Sequence, residues 1–246
     1  RITKQSVSTN LLNWSDPQTI LIPDAKDEGE TQFYAMDGFL TRGDLTIGMV
    51  KVLRDDLKAD HPPQPPDAYG IGYTTIAWTR NGTDWTRGRT PFLDRNLKPG
   101  AWDHSHAWID EQVPVGDEVY LYYAGYKSGH KVSRFHERQI GLIKMKRDRY
   151  VGREAIGAGD LRTPPVVLSA KKLFVNADAS HGELRVQLLT PEGKPIKGFA
   201  ARDCQPVHGD GVKSSVTWKN APGDLPKNAI LEFLLQDAVL FGFELE

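Results

Sequence analysis

Residues 79–85 read Thr79-Arg80-Asn81-Gly82-Thr83-Asp84-Trp85, and about seventy residues earlier Ser8-Thr9-Asn10-Leu11-Leu12-Asn13-Trp14 has the same form. Each runs hydroxyl, any residue, Asn, two residues, Asn or Asp, then Trp. Each is followed by a proline and an apolar pair, Pro17 with Ile20-Leu21 and Pro91 with Phe92-Leu93. Asn and Gly accept positive φ in a tight turn, Ser, Thr and Asn side chains bond the turn backbone, and the Trp is placed to plug a gap between sheets. Self-similarity at a fixed period announces a propeller or solenoid. The proline-rich insert at residues 61–66 accounts for a spacing longer than an ordinary four-stranded blade, and Lys146–Val151, with Tyr150 in the aromatic place, is a weaker third copy.

Around these turns the chain is a succession of short runs rich in Val, Ile, Leu, Thr and aromatics, cut by Gly, Pro, Asn and Asp. No segment keeps a 3.6-residue apolar stripe over several turns, and 23 Gly with 16 Pro would interrupt most helices. The reading is an all-β protein. Phe33–Phe39 with Leu45–Val52, then Tyr73–Trp78 with the stretch around Trp85, form one set of four strands. Trp102–Ile109, Val119–Tyr123, Gln139–Lys144 and Tyr150-Val151 form a second. Composition changes near Gly157–Asp160, so residues 1–160 are expected to be propeller blades and residues 161–246 a β-sandwich of seven or eight alternating strands.

With 31 Lys and Arg against 32 Asp and Glu, the 246-residue chain has no overall field to attract nucleic acid or an acidic membrane. No apolar run approaches the roughly 18–20 residues of a spanning helix. The single cysteine, Cys204, excludes an internal disulfide and a multi-cysteine zinc cage. There is no Gly-x-Ser-x-Gly elbow, phosphate loop or dinucleotide fingerprint.

Phe33-Tyr34-Ala35-Met36, the Trp78–Trp85 turn, Trp102-Asp103, Asp117–Gly125 and Gln139-Ile140-Gly141-Leu142 resemble the five-bladed β-propeller glycoside hydrolases. These are the arabinanase and β-fructofuranosidase-like proteins and their bacterial relatives. The tail, with Leu173–Asp178, Gly182–Val186 and Asp203-Cys204, is similar to the β-sandwich that such proteins carry after the propeller. Residues 1–160 hold only about two blades and a fraction. The expectation is therefore an incomplete propeller, a C-terminal part of a longer one, whose open edge offers a surface for self-association. A chain starting at Arg1 is also read as one from which a signal peptide or a whole upstream segment has been removed, and the expected setting is secreted or periplasmic.

The resemblance implies glycosidic bond cleavage by two carboxyl groups facing across a funnel, one protonated and one ionised. Asp103, after Gly100 and Trp102, and Glu30, at the head of Thr31-Gln32-Phe33-Tyr34, are the candidate catalytic pair. Strand alternation would put Glu30, Gln32 and Tyr34 on one face, and His104 with His106 on one face with Asp103 opposite. Gln32, Tyr34, Trp102, His104, His106, His130 and Arg134 are candidate substrate-binding residues, with Arg138 a further cation for an anionic sugar. No cofactor is expected; the histidines leave room for a divalent cation, but no carboxylate stands at a diagnostic spacing. The expected partner is an oligosaccharide or polysaccharide. Two other readings stay open: a glycan-binding module without a working carboxyl pair, and an inactive part of a larger propeller enzyme.

Overall fold

The computed structural model describes residues 1–59, 69–130, 132, 134–219 and 221–246; the insert at 61–66 and the side chain of Arg134 lie outside the described residues. The described chain is all-β except for one helical turn, α1 (Arg134–Glu137). No described helix is long and apolar enough to cross a membrane. The chain divides into two compact units, residues 1–115 with 119–145, and residues 116–118 with 146–246.

In the first unit, β1 (Thr3–Gln5) and β2 (Gln18–Leu21) form a hairpin around the first turn motif. β3 (Thr31–Arg42), β4 (Leu45–Lys58), β5 (Tyr69–Thr79) and β6 (Thr86–Arg87) form an antiparallel meander around the second. β7 (His106–Val115), β8 (Glu118–Tyr126) and β9 (Gln139–Lys146) follow in order, and the sheet joins the first meander through one parallel pairing, Gly72 with His106. These are the strand sets read from the sequence, except that Tyr150-Val151 is not a strand and the second set has three members.

β4 is buried on both faces because it is central and because each face meets another layer. One face, Val50 and Val52, joins Phe33, Ala77 and Leu21, with Ile20 and Trp85 packed against them. The other, Lys51, Leu53 and Asp55, turns toward β7. Leu53 there packs with Trp108, Ala124 and Tyr126.

The second unit is built from fewer and longer strands than expected: β10 (Arg153–Arg162), β11 (Val166–Val167), β12 (Leu173–Leu189), β13 (Val207–Val216) and β14 (Asn228–Leu245). The sheet order is β10-β14-β12-β13, with β11 on β14. β12 and β14 each cross a register break, between Asp178 and Glu183 on β12, and there the sheet bends. Leu173, Val175 and Ala177 before the bend and Leu184, Val186 and Leu188 after it are all buried in one core. One bent sheet thus supplies both layers of the β-sandwich. The boundary expected at residue 160 falls inside β10, which pairs with β14 from Arg153 to Arg162, so residues 146–160 belong with the second unit.

At the bend Gly182 lies against the backbone of Gln236 and Asp237, where a Cβ would collide with the Gln236 carbonyl. Gly182→Ala is expected to destabilise the chain by about 2 kcal/mol or more, because a backbone atom cannot move aside as a side chain can. Urea unfolding followed by far-UV dichroism measures this.

Candidate functional site

The face of β4 carrying Lys51, Leu53 and Asp55 meets the face of β7 carrying His106, Trp108, Asp110 and Gln112. The Trp108 indole N–H donates to the Val52 carbonyl at 2.9 Å, which pins β7 over β4. Gly72 on β5 makes room: a Cβ there would collide with the His106 and Trp108 rings.

At one end of this contact lies a histidine cluster. The Ser105 hydroxyl donates to the Tyr126 carbonyl at 3.0 Å and accepts the Gly129 N–H at 2.9 Å. Its 2.8 Å contact with His106 Nδ1 must then be a bond donated by the ring, which leaves Nε2 as the unprotonated nitrogen. That nitrogen is buried with no hydrogen-bond partner among the described residues, ringed by Trp108, Tyr126 and His130. Burial, then the neighbouring His130 and Arg95, push the His106 pKa down to about 3.

Outside His106 the surface opens. The Gln32 amide donates to Asp55 Oδ2 at 3.1 Å, and Asp55 Oδ1 stands 3.6 Å from His130 Nδ1. Tyr34 stacks on Trp108 at 4.7 Å, meets His130 edge-on at 5.3 Å and keeps 36% of its surface exposed, with the Arg1 guanidinium over its ring. The structure thus brings together Gln32, Tyr34, His106 and His130. Asp55 is the member sequence reading missed; two-residue alternation from Lys51 through Leu53 would have placed it on this face.

At the other end, Lys51 donates to Asp37 Oδ2 at 2.5 Å and to Asp110 Oδ1. Gly38, at φ 54°, permits the approach, since a Cβ there would press on the backbone of Asp110 and Glu111. Arg138 adds a second cation 3.7 Å from Asp110. Burial alone would lower the Lys51 pKa, but the bonds to Asp110 and Asp37 outweigh it and hold it above the ordinary lysine value.

Asp103 lies elsewhere. The Tyr123 hydroxyl donates to it at 2.9 Å, and Trp102 stacks on Tyr123 at 5.4 Å over Gly125 and Gly141, where any Cβ would collide with these rings. Burial and the bond to Asp103 push the Tyr123 pKa up to about 12. Tyr123 and Gly125 occupy the face of β8 opposite Ala124 and Tyr126, so Asp103 and Trp102 are separated from His106 by the sheet. His104 stands before β7, its Nδ1 2.8 Å from the Asn96 carbonyl. Glu30 is exposed in the turn before β3 rather than on the strand, and its backbone N–H is bonded by Asp56. The bidentate Arg54 bond brings the Asp56 pKa down to about 2. Among the described residues, no hydrogen bond or ring contact joins Glu30 or Asp103 to the histidine cluster. Among them, too, no group of three or more His, Cys, Asp or Glu is arranged to hold a metal ion.

No family model and no curated protein matches the chain. Among solved structures it is similar to the Bombyx mori GH32 β-fructofuranosidase BmSUC1, over 96% of this chain and 84% of that one, at 12% identity and a TM-score of 0.29. That likeness is distant.

Two predictions follow from the two ends of the β4–β7 contact. His106 has a folded pKa below its unfolded value, so its contribution is full above pH 6.5 and is lost as pH falls toward 3. Stability is expected to drop by about 1–2 kcal/mol between pH 7 and pH 5 in urea unfolding, and His106→Leu should flatten that part of the profile. Lys51→Met leaves two carboxylates facing each other and is expected to cost about 2 kcal/mol, less than a fully buried pair because both carboxylates reach solvent. Adding Asp37→Asn and Asp110→Asn to it should restore most of that loss.

Proposed function

We propose that the first unit is a carbohydrate-recognising scaffold of glycoside hydrolase-like type, holding a saccharide at the rim formed by Gln32, Tyr34, Asp55 and His130. The observation that supports this most is the partly exposed Tyr34 ring backed by Trp108, with an amide, a carboxylate and an imidazole beside it. An aromatic edge set among donors and acceptors matches the mix of C–H and hydroxyl groups on a sugar. Arg1 over Tyr34 would suit an acidic sugar.

Hydrolysis is the second reading, and Asp37 with Asp110 favours it. Both reach one ammonium nitrogen, so these carboxylate oxygens lie within about 5 Å of each other, near the separation of a retaining pair. Against it, Lys51 fills the gap where the reacting bond would sit. The pair expected from the sequence is weaker still: Asp103 is bonded to Tyr123 and Glu30 is exposed in a turn.

Calorimetric titration with neutral and acidic oligosaccharides, beside a chromogenic glycoside screen, separates these readings. Recognition predicts saturable binding without turnover, weakened about tenfold or more by Tyr34→Ala and by Asp55→Asn. Turnover abolished by Asp37→Asn or Asp110→Asn would establish hydrolysis at the lysine-bridged pair. Turnover abolished by Asp103→Asn or Glu30→Gln would restore the pair expected from the sequence. Neither binding nor turnover across the panel would remove both readings.

A further inference from the structure

The two turn motifs have the same backbone bonds and different surroundings. In the first, Ser8 Oγ accepts the Leu11 N–H at 2.8 Å and Asn10 Oδ1 accepts those of Leu12 and Asn13 at 3.0 and 2.9 Å. In the second, Thr79 Oγ1 accepts the Gly82 N–H at 3.1 Å and Asn81 Oδ1 accepts those of Thr83 and Asp84 at 3.0 and 2.8 Å. Leu11 and Gly82 occupy the same place at φ 61° and 77°. The copies match bond for bond, so a difference in what their other polar groups meet reflects what lies beside each.

In the second turn the Gln5 side-chain amide is inserted between two groups. Its NH₂ donates to the Gly82 carbonyl at 2.8 Å, and its oxygen accepts the Trp85 indole N–H at 3.0 Å. A carbonyl acceptor and an indole donor held at this spacing match both ends of a primary carboxamide. Trp85 meanwhile packs on Phe39 at 5.9 Å and against the core that includes Leu21. In the first turn the equivalent carbonyl and indole have closed on each other: Trp14 Nε1 donates to the Leu11 carbonyl at 3.2 Å. Trp14 is 57% exposed, with Leu11 and Leu12 exposed at 75% and 84%. Leu11 is held in the left-handed region, at a cost of about 1–2 kcal/mol that glycine at Gly82 does not incur. Three exposed apolar side chains are thus displayed around a donor–acceptor pair that, among the described residues, bonds only to itself.

We propose that the Ser8–Trp14 turn is a docking site for a protein β-strand that presents a Gln or Asn side chain, whose carboxamide enters between the Leu11 carbonyl and the Trp14 indole. The occupant is identified by the second copy: what Gln5 on β1 and Leu21 on β2 do for Trp85, the partner strand does for Trp14. Hydrogen-bond complementarity selects the carboxamide, and the exposed leucines select an apolar strand around it.

The probe is a disulfide-closed peptide of the Thr3–Leu21 hairpin carrying Trp14→Ala, so that it presents Gln5 but no indole of its own. It is titrated into the full chain while the indole N–H resonances are followed by NMR. The Trp14 resonance is expected to shift saturably, and the same peptide with Gln5→Leu should bind at least about tenfold more weakly. Trp14→Phe in the chain, which keeps an aromatic ring and loses the N–H, should weaken binding to a similar degree when measured calorimetrically. A Trp14 resonance unmoved at millimolar peptide, equal binding by the Gln5→Leu peptide, or undiminished binding to Trp14→Phe would each overturn the proposal.

Discussion

The bond from the Trp108 indole to the Val52 carbonyl, and the ring packing around it, is the contact on which the first unit depends. β4 already pairs with β3 and β5, so its carbonyls have partners along the sheet and its side chains carry the burden on both faces. One face is closed by apolar packing, aromatic and aliphatic, that includes the β1–β2 hairpin. The other is closed by β7, and there Lys51, His106 and Gln112 enter the interior. Trp108 sits midway along that contact, with the histidine cluster toward one end and the lysine-bridged carboxylates toward the other. Displacing it would loosen both at once, since His106 touches its ring edge and the approach of β3 to β7 at Gly38 is set by the same strand.

The carboxylates of the first unit are partnered in ways that bear on function. Asp37 and Asp110 share Lys51, Asp56 is held by Arg54, and Asp103 takes the Tyr123 hydroxyl. Asp55 is held differently: an uncharged amide bonds one oxygen, and the other faces an imidazole at 3.6 Å. A carboxylate oxygen has more than one lone pair to offer, so this group can accept from a ligand hydroxyl without first surrendering a strong protein cation. Proximity to the exposed part of Tyr34 is why the proposed saccharide site is put at this end of the stripe rather than at the lysine end.

What could be read from the sequence follows the range of the interactions involved. The turns were legible because their bonds run between residues two or three apart, and the meanders because alternation and turn residues are local too. Asp55 was not, since its meaning depends on Gln32 and His130, brought to it from distant strands. Glu30 was misplaced by a single residue: β3 begins at Thr31, and one position at a strand end decides between an inward face and a solvated turn. His104 and His106 were expected on one strand face, but only His106 lies in the strand, and the His104 ring is drawn off to the Asn96 carbonyl. In the second unit, seven or eight alternating strands were expected, with the runs on either side of Asp178–Gly182 counted apart. The backbone instead carries β12 through that segment as a bend, which only pairing with β14 across the break reveals.

The two tryptophan turns separate local from tertiary instruction with unusual clarity. Identical side-chain to backbone bonds form whether the tryptophan is covered or exposed, so the turn is specified by its own residues and needs no help from packing. Burial is added by a neighbour: Gln5 reaches the second turn from 77 residues away and changes which atoms the indole and the carbonyl address. Where that neighbour is lacking, the same two groups turn inward and satisfy one another at 3.2 Å, longer than either bond the amide makes. The exposed copy therefore keeps the same local structure without the neighbour's bonds. Each polar group takes the partner that geometry brings nearest, an inserted amide in one copy and each other in the second.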